Sequence, residues 1–131
     1  MKRLFAILIV FAIAFSLCAC AKTSIDTDGD VTLTYIYADA DITVTLEADD
    51  AQRVLDILDG NTYDPAIAGT PSCGFSKNVS LTIGSQTFAI ACDTCSYVQD
   101  LSNQKFFRIA DEEMEFIHSL FEKYGSLFPC L

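Results

Sequence analysis

The residues of this 131-residue chain best suited to chemistry are its six cysteines. Cys92 and Cys95 form a C-x-x-C motif, a spacing found where an activated thiolate at a helix N-terminus exchanges with disulfides. Residues 87–91 read as the strand that should precede such a motif, but residues 96–103 make a poor helix and no βαβ order surrounds them. A thiol–disulfide redox role for Cys92 and Cys95 is therefore kept as the alternative function.

The first twenty residues have the pattern of an export signal. Lys2 and Arg3 precede a run from Leu4 to Leu17 that is apolar except for Ser16. A basic end before an apolar segment is typical of secretory signals, because the positive end stays cytoplasmic while the apolar part enters the bilayer. We therefore expect a secreted protein.

The signal ends in Leu17-Cys18-Ala19-Cys20, which resembles the lipobox of bacterial lipoproteins. The resemblance implies cleavage between Ala19 and Cys20, diacylglycerol on the Cys20 thiol, and usually a further fatty acid, such as palmitate, on the new amino group. Cys18 would leave with the signal. The expected location is the extracytoplasmic face of the cell membrane, with the protein held there by its lipid.

An uncleaved transmembrane helix is the alternative interpretation of this segment. Residues 4–21 approach the roughly 18–20 apolar residues that span a bilayer, but a span does not account for the small residue before Cys20. Either reading puts the same domain outside the membrane. The expected organisation is a signal peptide over 1–19, a lipidated N-terminus and acidic tether over 20–30, and a single domain over 31–131.

Four cysteines remain after the lipid site, and an even number in a small secreted domain predicts two disulfides. The register of the second hairpin favours Cys73–Cys95 and Cys92–Cys130, although one β-bulge would favour Cys73–Cys92 instead. A zinc site on these four residues lacks the second close-spaced pair that such sites usually have. No metal or cofactor is predicted.

The mature chain is strongly acidic. It keeps six of the eight Lys and Arg residues and all eighteen Asp and Glu residues, a formal charge of about −12. Such a surface is repelled by nucleic-acid phosphates and by anionic lipid headgroups, which argues against both as partners. The expected partners are the membrane, through the N-terminal lipid, and a protein at the cell surface; the sequence leaves the oligomeric state open.

The elements that must position the cysteines follow from hydrophobic periodicity. The predicted order is ββαβββα, an α+β fold with an antiparallel sheet of two hairpins plus a further strand and both helices on one face. The second hairpin turns at Gly84-Ser85, a two-residue loop suited to a type II′ turn. The predicted register pairs Ile83 with Gln86, Leu81 with Phe88, Val79 with Ile90 and Lys77 with Cys92. The ranges, in order, are strands at 31–37 and 42–46, a helix to Gly60, a loop at 61–75, strands at 79–83, 86–92 and 105–109, and a helix at 111–125.

Two weaker signals are assigned no function. Asp26–Asp30 places Gly fourth rather than sixth, unlike an EF-hand calcium loop. His118, the single histidine, lacks a matched nucleophile or carboxylate and is interpreted as a surface residue.

The body resembles small uncharacterised lipoproteins of Gram-positive bacteria, which often place hairpins and helices of this kind behind a lipobox. Cys-Gly-Phe at 73–75, the C-x-x-C motif and Phe-Pro-Cys at 128–130 look like a family signature. No catalytic set is visible beside them. The preferred interpretation is a non-enzymatic, lipid-anchored binding domain.

Overall fold

The structure, a computed structural model, describes residues 21–67 and 72–125. The signal peptide, Cys18, Cys20 and Cys130 lie outside the described residues. The elements are β1 (Val31–Tyr37), β2 (Ala40–Thr45), α1 (Ala48–Leu58), β3 (Phe75–Ile83), β4 (Gln86–Ala91), β5 (Tyr97–Asp100), β6 (Lys105–Arg108) and α2 (Asp111–Gly125).

The strands form one six-stranded sheet in the order β2-β1-β3-β4-β5-β6. Every neighbouring pair is antiparallel. At its centre the β3–β4 hairpin turns at Gly84, whose φ of +56° is the positive value that the first position of a type II′ turn requires. The predicted pairing of Ile83 with Gln86 and of Leu81 with Phe88 is confirmed.

One face of the sheet carries the hydrophobic core, because alternate strand residues point toward the two helices. Burial of such aliphatic and aromatic side chains is the main force that holds the two layers together. The fully buried members include Leu33, Leu81, Phe88, Ile90, Val98 and Phe107 from the sheet, Val54 and Leu58 from α1, and Ile117 and Phe121 from α2.

The fold is thus a mixed α+β fold with an antiparallel sheet, as predicted. The predicted order has five strands, whereas the structure has six and reads ββαββββα. The additional strand is β5, which pairs with both β4 and β6. Its sequence, Tyr-Val-Gln-Asp, does not alternate clearly, and two of its buried residues, Gln99 and Asp100, are polar.

The N-terminal segment differs from the acidic tether expected over residues 20–30. Lys22 forms an antiparallel bridge with Thr62. The Thr23 N–H donates to the Asn61 carbonyl at 2.8 Å, and the Thr23 hydroxyl donates to the Leu58 carbonyl at 2.7 Å. Ile25 is only 8% exposed and belongs to the core. Residues 21–25 are therefore part of the fold, which extends to the N-terminal side of Val31.

A polar cluster joins the start of α1 to the end of α2. The Lys123 ammonium lies 2.8 Å from both the Glu47 and the Asp50 carboxylates, and the Tyr124 hydroxyl donates to Asp50 at 2.7 Å. The hydrogen bonds from Lys123 and Tyr124 lower the pKa of Asp50. Lys123 and Glu47 are 47% and 72% exposed, although Asp50 is only 18% exposed, so we expect the cluster to orient the helices more than to stabilise them.

The docking of the N-terminal segment is tested by replacing Ile25 with alanine. Because Ile25 is buried, Ile25→Ala should lower the free energy of unfolding by about 2–4 kcal/mol in urea denaturation of the 21–131 fragment. The matched control is Ile36→Ala. Because Ile36 is 39% exposed, this substitution should lower the free energy of unfolding much less. Equal effects of the two substitutions would contradict the docking.

Candidate functional site

A disulfide joins Cys73 to Cys95, one of the two predicted pairings, with their Cα atoms 5.9 Å apart. Cys73 lies at the end of the long loop before β3, and Cys95 lies in the connection between β4 and β5. Cys73 is buried at 5% exposure and its sulfur contributes to the core cluster. The bond therefore fixes the end of the long loop to the sheet.

A register shift in β3 brings these two cysteines together. The hairpin keeps the predicted register as far as Ser80 and Ala89, but beyond an irregularity Phe75 pairs with Ala91. The predicted pairing of Lys77 with Cys92 is therefore wrong. Instead the Cys92 N–H donates to the carbonyls of Cys73 and Gly74, at 3.2 and 3.3 Å. An irregularity of this kind changes the direction of the side chains that follow it, and here it does so for Cys73.

The second predicted pair, Cys92–Cys130, includes a residue outside the described ones. Cys92 itself is disulfide-bonded. Because Cys95 is bonded to Cys73, the partner of Cys92 is not the other cysteine of the C-x-x-C motif. The alternative pairing Cys73–Cys92 is wrong for the same reason.

The C-x-x-C motif is built as a tight turn between strands. The Cys95 N–H donates to the Asp93 carboxylate at 2.8 Å, an Asx turn. Strand β5 begins at Tyr97, so no helix N-terminus follows Cys95. The dipole that lowers the thiol pKa in redox-active C-x-x-C motifs is therefore missing at this position.

One group of possible metal ligands occurs in the described part of the chain. Single ligand atoms of Cys73, Asp93 and Cys95 lie within 4.8 Å of one another. Metal binding requires thiolates, and these two sulfurs are bonded to each other. The group can serve a metal only after reduction.

A cavity of about 350 Å³ lies beside this turn and is lined by Asp93, Asp111, Glu115 and His118, among others. His118 is half-buried rather than a free surface residue, and its Nε2 lies 3.0 Å from the Ala91 carbonyl. Burial lowers the pKa of His118. The neutral ring therefore links α2 to the end of β4.

Asp100 is a buried carboxylate that the sequence did not reveal as important. It is completely buried on β5. One oxygen accepts from the Tyr63 hydroxyl at 2.6 Å and from the Asn103 amide at 2.8 Å, while the other accepts from the backbone N–H groups of Ser102 and Asn103 at 2.9 and 3.2 Å. Burial and the nearby carboxylate raise the pKa of Tyr63 to about 12. Asp100 therefore ties the long loop to the β5–β6 turn.

A second cavity, of about 320 Å³, lies at the β6 edge of the sheet and is lined by Ala21, Tyr63, Pro65, Ile67 and Phe106, among others. The Asp64 N–H donates to the Phe106 carbonyl at 2.8 Å, and the Tyr63 N–H donates to the Ala21 carbonyl at 3.1 Å. The long loop thus covers the edge of β6 and brings the N-terminus of the described chain to it.

No family model, curated protein or solved structure matches this chain. Within residues 21–67 and 72–125, none of the helices combines the length and the apolar character needed to cross a membrane. The features of the molecule that bear on its function are therefore the cysteines, the two sheet edges and the N-terminal segment.

The contribution of the disulfide is tested with the double variant Cys73→Ala/Cys95→Ala. Removing the link across 22 residues should lower the free energy of unfolding by about 3 kcal/mol, because the unfolded chain regains the conformations that the loop excludes. Thr94→Ala, an exposed neighbour in the same turn, is the control and should change stability by less than about 0.5 kcal/mol. Urea denaturation measures both free energies of unfolding. A double variant as stable as the unmodified protein would contradict a stabilising role of the disulfide.

Proposed function

We propose that this chain is a lipid-anchored extracytoplasmic domain that binds a protein at the cell surface and does not catalyse a reaction. The observation that carries the proposal is the disulfide between Cys95 and Cys73. It uses one cysteine of the C-x-x-C motif to cross-link the long loop to the sheet. Stapling of a small domain is the usual role of disulfides outside the cell. The lipobox at Leu17–Cys20 supplies the anchor and the location.

The binding surface that fits this proposal is the free edge of β2. Among the described residues, β2 pairs only with β1, so its outer N–H and C=O groups can pair with an extended segment of another chain. The neighbouring hairpin end exposes Ile36 at 39% and Tyr37 at 59%. Asp39 and Asp41 are the charged residues of the hairpin over 31–45, and they favour a basic partner segment.

The alternative function is thiol–disulfide exchange through Cys92 and Cys95. It requires a bond that forms and breaks at this motif, whereas structural disulfides of secreted proteins resist reduction by glutathione. Equilibration of the folded 21–131 fragment with glutathione buffers, followed by alkylation and intact-mass measurement, separates the two functions. Release of the Cys95 thiol under mildly reducing conditions would support the redox function and contradict ours.

The anchor is tested by replacing each cysteine of the lipobox in producing cells. Cys20→Ser should abolish lipid attachment and signal cleavage, because no other residue supplies the thiol at the cleavage site. Cys18→Ser is the matched control and should be processed normally. Incorporation of labelled palmitate and gel mobility are the measurements, and a lipoprotein signal-peptidase inhibitor should reproduce the Cys20→Ser mobility. Labelled, cleaved Cys20→Ser protein would contradict the lipid-anchor proposal.

The binding surface is tested by placing a photo-crosslinking residue at Thr43, an exposed position of β2. Irradiation of intact cells should give a discrete adduct from this position. The same residue at Gln52, exposed on α1, is the control and should give little adduct. The proposed edge is wrong if both positions give the same adducts, or if Thr43 gives none.

A further inference from the structure

Ala21, the residue after the proposed lipid site, is already hydrogen-bonded to the body of the fold. The Ala21 carbonyl accepts a hydrogen bond from the Tyr63 N–H at 3.1 Å, and Lys22 bridges to Thr62. Consecutive Cα atoms are about 3.8 Å apart, so the lipidated Cys20 has no length of free chain with which to stand away from the fold. This geometry constrains the domain far more than an acidic tether of ten residues would.

We propose that the β6 edge of the sheet rests on the membrane surface and that the β2 edge points away from it. The β6 edge is defined by Ala21, Lys22, the loop 63–67 and Lys105. The proposal rests on the lipid anchor of the proposed function, and it adds an orientation that the anchor alone does not impose. The partner of the β6 edge is the headgroup layer of the bilayer.

The position of Ala21 decides which edge faces the lipid. Ala21 lines the same cavity as Phe106 of β6, while β2 lies at the opposite end of the six-stranded order. Five gaps between strands at about 4.8 Å separate the two edges by roughly 24 Å. The headgroup layer on one side of a bilayer is only about 5–8 Å thick. The β2 edge therefore lies beyond the headgroups when the sheet stands upright on its β6 edge.

The chemistry of the β6 edge suits a bilayer surface better than the rest of this acidic domain does. Lys22 and Lys105 are both exposed there, and each basic residue near an anionic headgroup contributes about 1 kcal/mol. Pro65 and Ile67 add apolar surface beside them. The two lysines offset two acids close by: Asp59, which accepts a hydrogen bond from the Ile25 N–H, and Asp64, which accepts hydrogen bonds from the Ala66 N–H and the Tyr97 hydroxyl.

The opposite hairpin carries acidic charge alone. Residues 31–45 contain Asp39 and Asp41 and no lysine or arginine. Anionic headgroups therefore repel the β1–β2 hairpin more than the β6 edge, where lysines offset the acids. The charge distribution and the short covalent link favour the same orientation.

The natural chain contains no tryptophan, so one introduced tryptophan reports its own distance from the bilayer. Two exposed alanines give a matched pair: Ala66→Trp on the β6 edge and Ala40→Trp at the start of β2. Each full-length variant is produced in cells that process it, purified, and reconstituted into vesicles of phosphatidylcholine and phosphatidylglycerol that contain a headgroup spin-labelled lipid.

We expect the Ala66→Trp protein to lose most of its fluorescence to the spin label and the Ala40→Trp protein to keep nearly all of it. A third protein carries Ala66→Trp and a Gly/Ser linker of about 16 residues between Cys20 and Ala21, which spans roughly 20–25 Å. It should recover much of its fluorescence, since the domain then leaves the surface.

Vesicle flotation separates the two proposals. Protein that floats with the vesicles but shows equal quenching at both positions, or more at Ala40→Trp, overturns the orientation and leaves the anchor intact. Protein that does not float overturns the anchor and the orientation together.

Discussion

The two-residue turn at Gly84 and Ser85 holds β3 and β4 in a single register, and the other strands are added to that central hairpin. Strand β1 joins β3 on one side, and β5 joins β4 on the other. Because side chains alternate between the faces of a sheet, a slip of one residue in the hairpin would turn Leu81 and Phe88 away from the helices. The core and both sheet edges therefore depend on this turn.

The same hairpin explains both the success and the failure of the sequence-based pairing. Alternating apolar residues fix the register near the turn, so it could be predicted that Cys73 lies near Cys95. The register shift between Phe75 and Ser80 has no comparable pattern in the sequence, because it depends on the backbone path of the neighbouring strands. The predicted disulfide is correct, although the pairing of Lys77 with Cys92 drawn from the same register is not.

The other unpredicted features depend on contacts between residues far apart in the chain. Residues 21–30 are mostly small, polar and acidic, which is typical of a linker. Within them, residues 21–23 pair with residues 60–63 through backbone hydrogen bonds that any sequence can make. Asp100 resembles an ordinary turn residue until Tyr63, which lies 37 positions earlier in the chain, is seen to donate to it. A buried carboxylate is tolerated only with several donors. The helices and the paired hairpins, by contrast, follow from local periodicity.

The connectivity of the disulfide has a consequence for the order of events during oxidative folding. Cys92 is the first cysteine after Cys73 in the chain, so oxidation of Cys73 with the next thiol along the chain would join these two residues. The native bond instead joins Cys73 to Cys95. The β3–β4 hairpin must then bring its strands together before the thiols are oxidised, or an exchange catalyst must later correct the first bond. Folding to the native connectivity therefore needs slow oxidation or an isomerase.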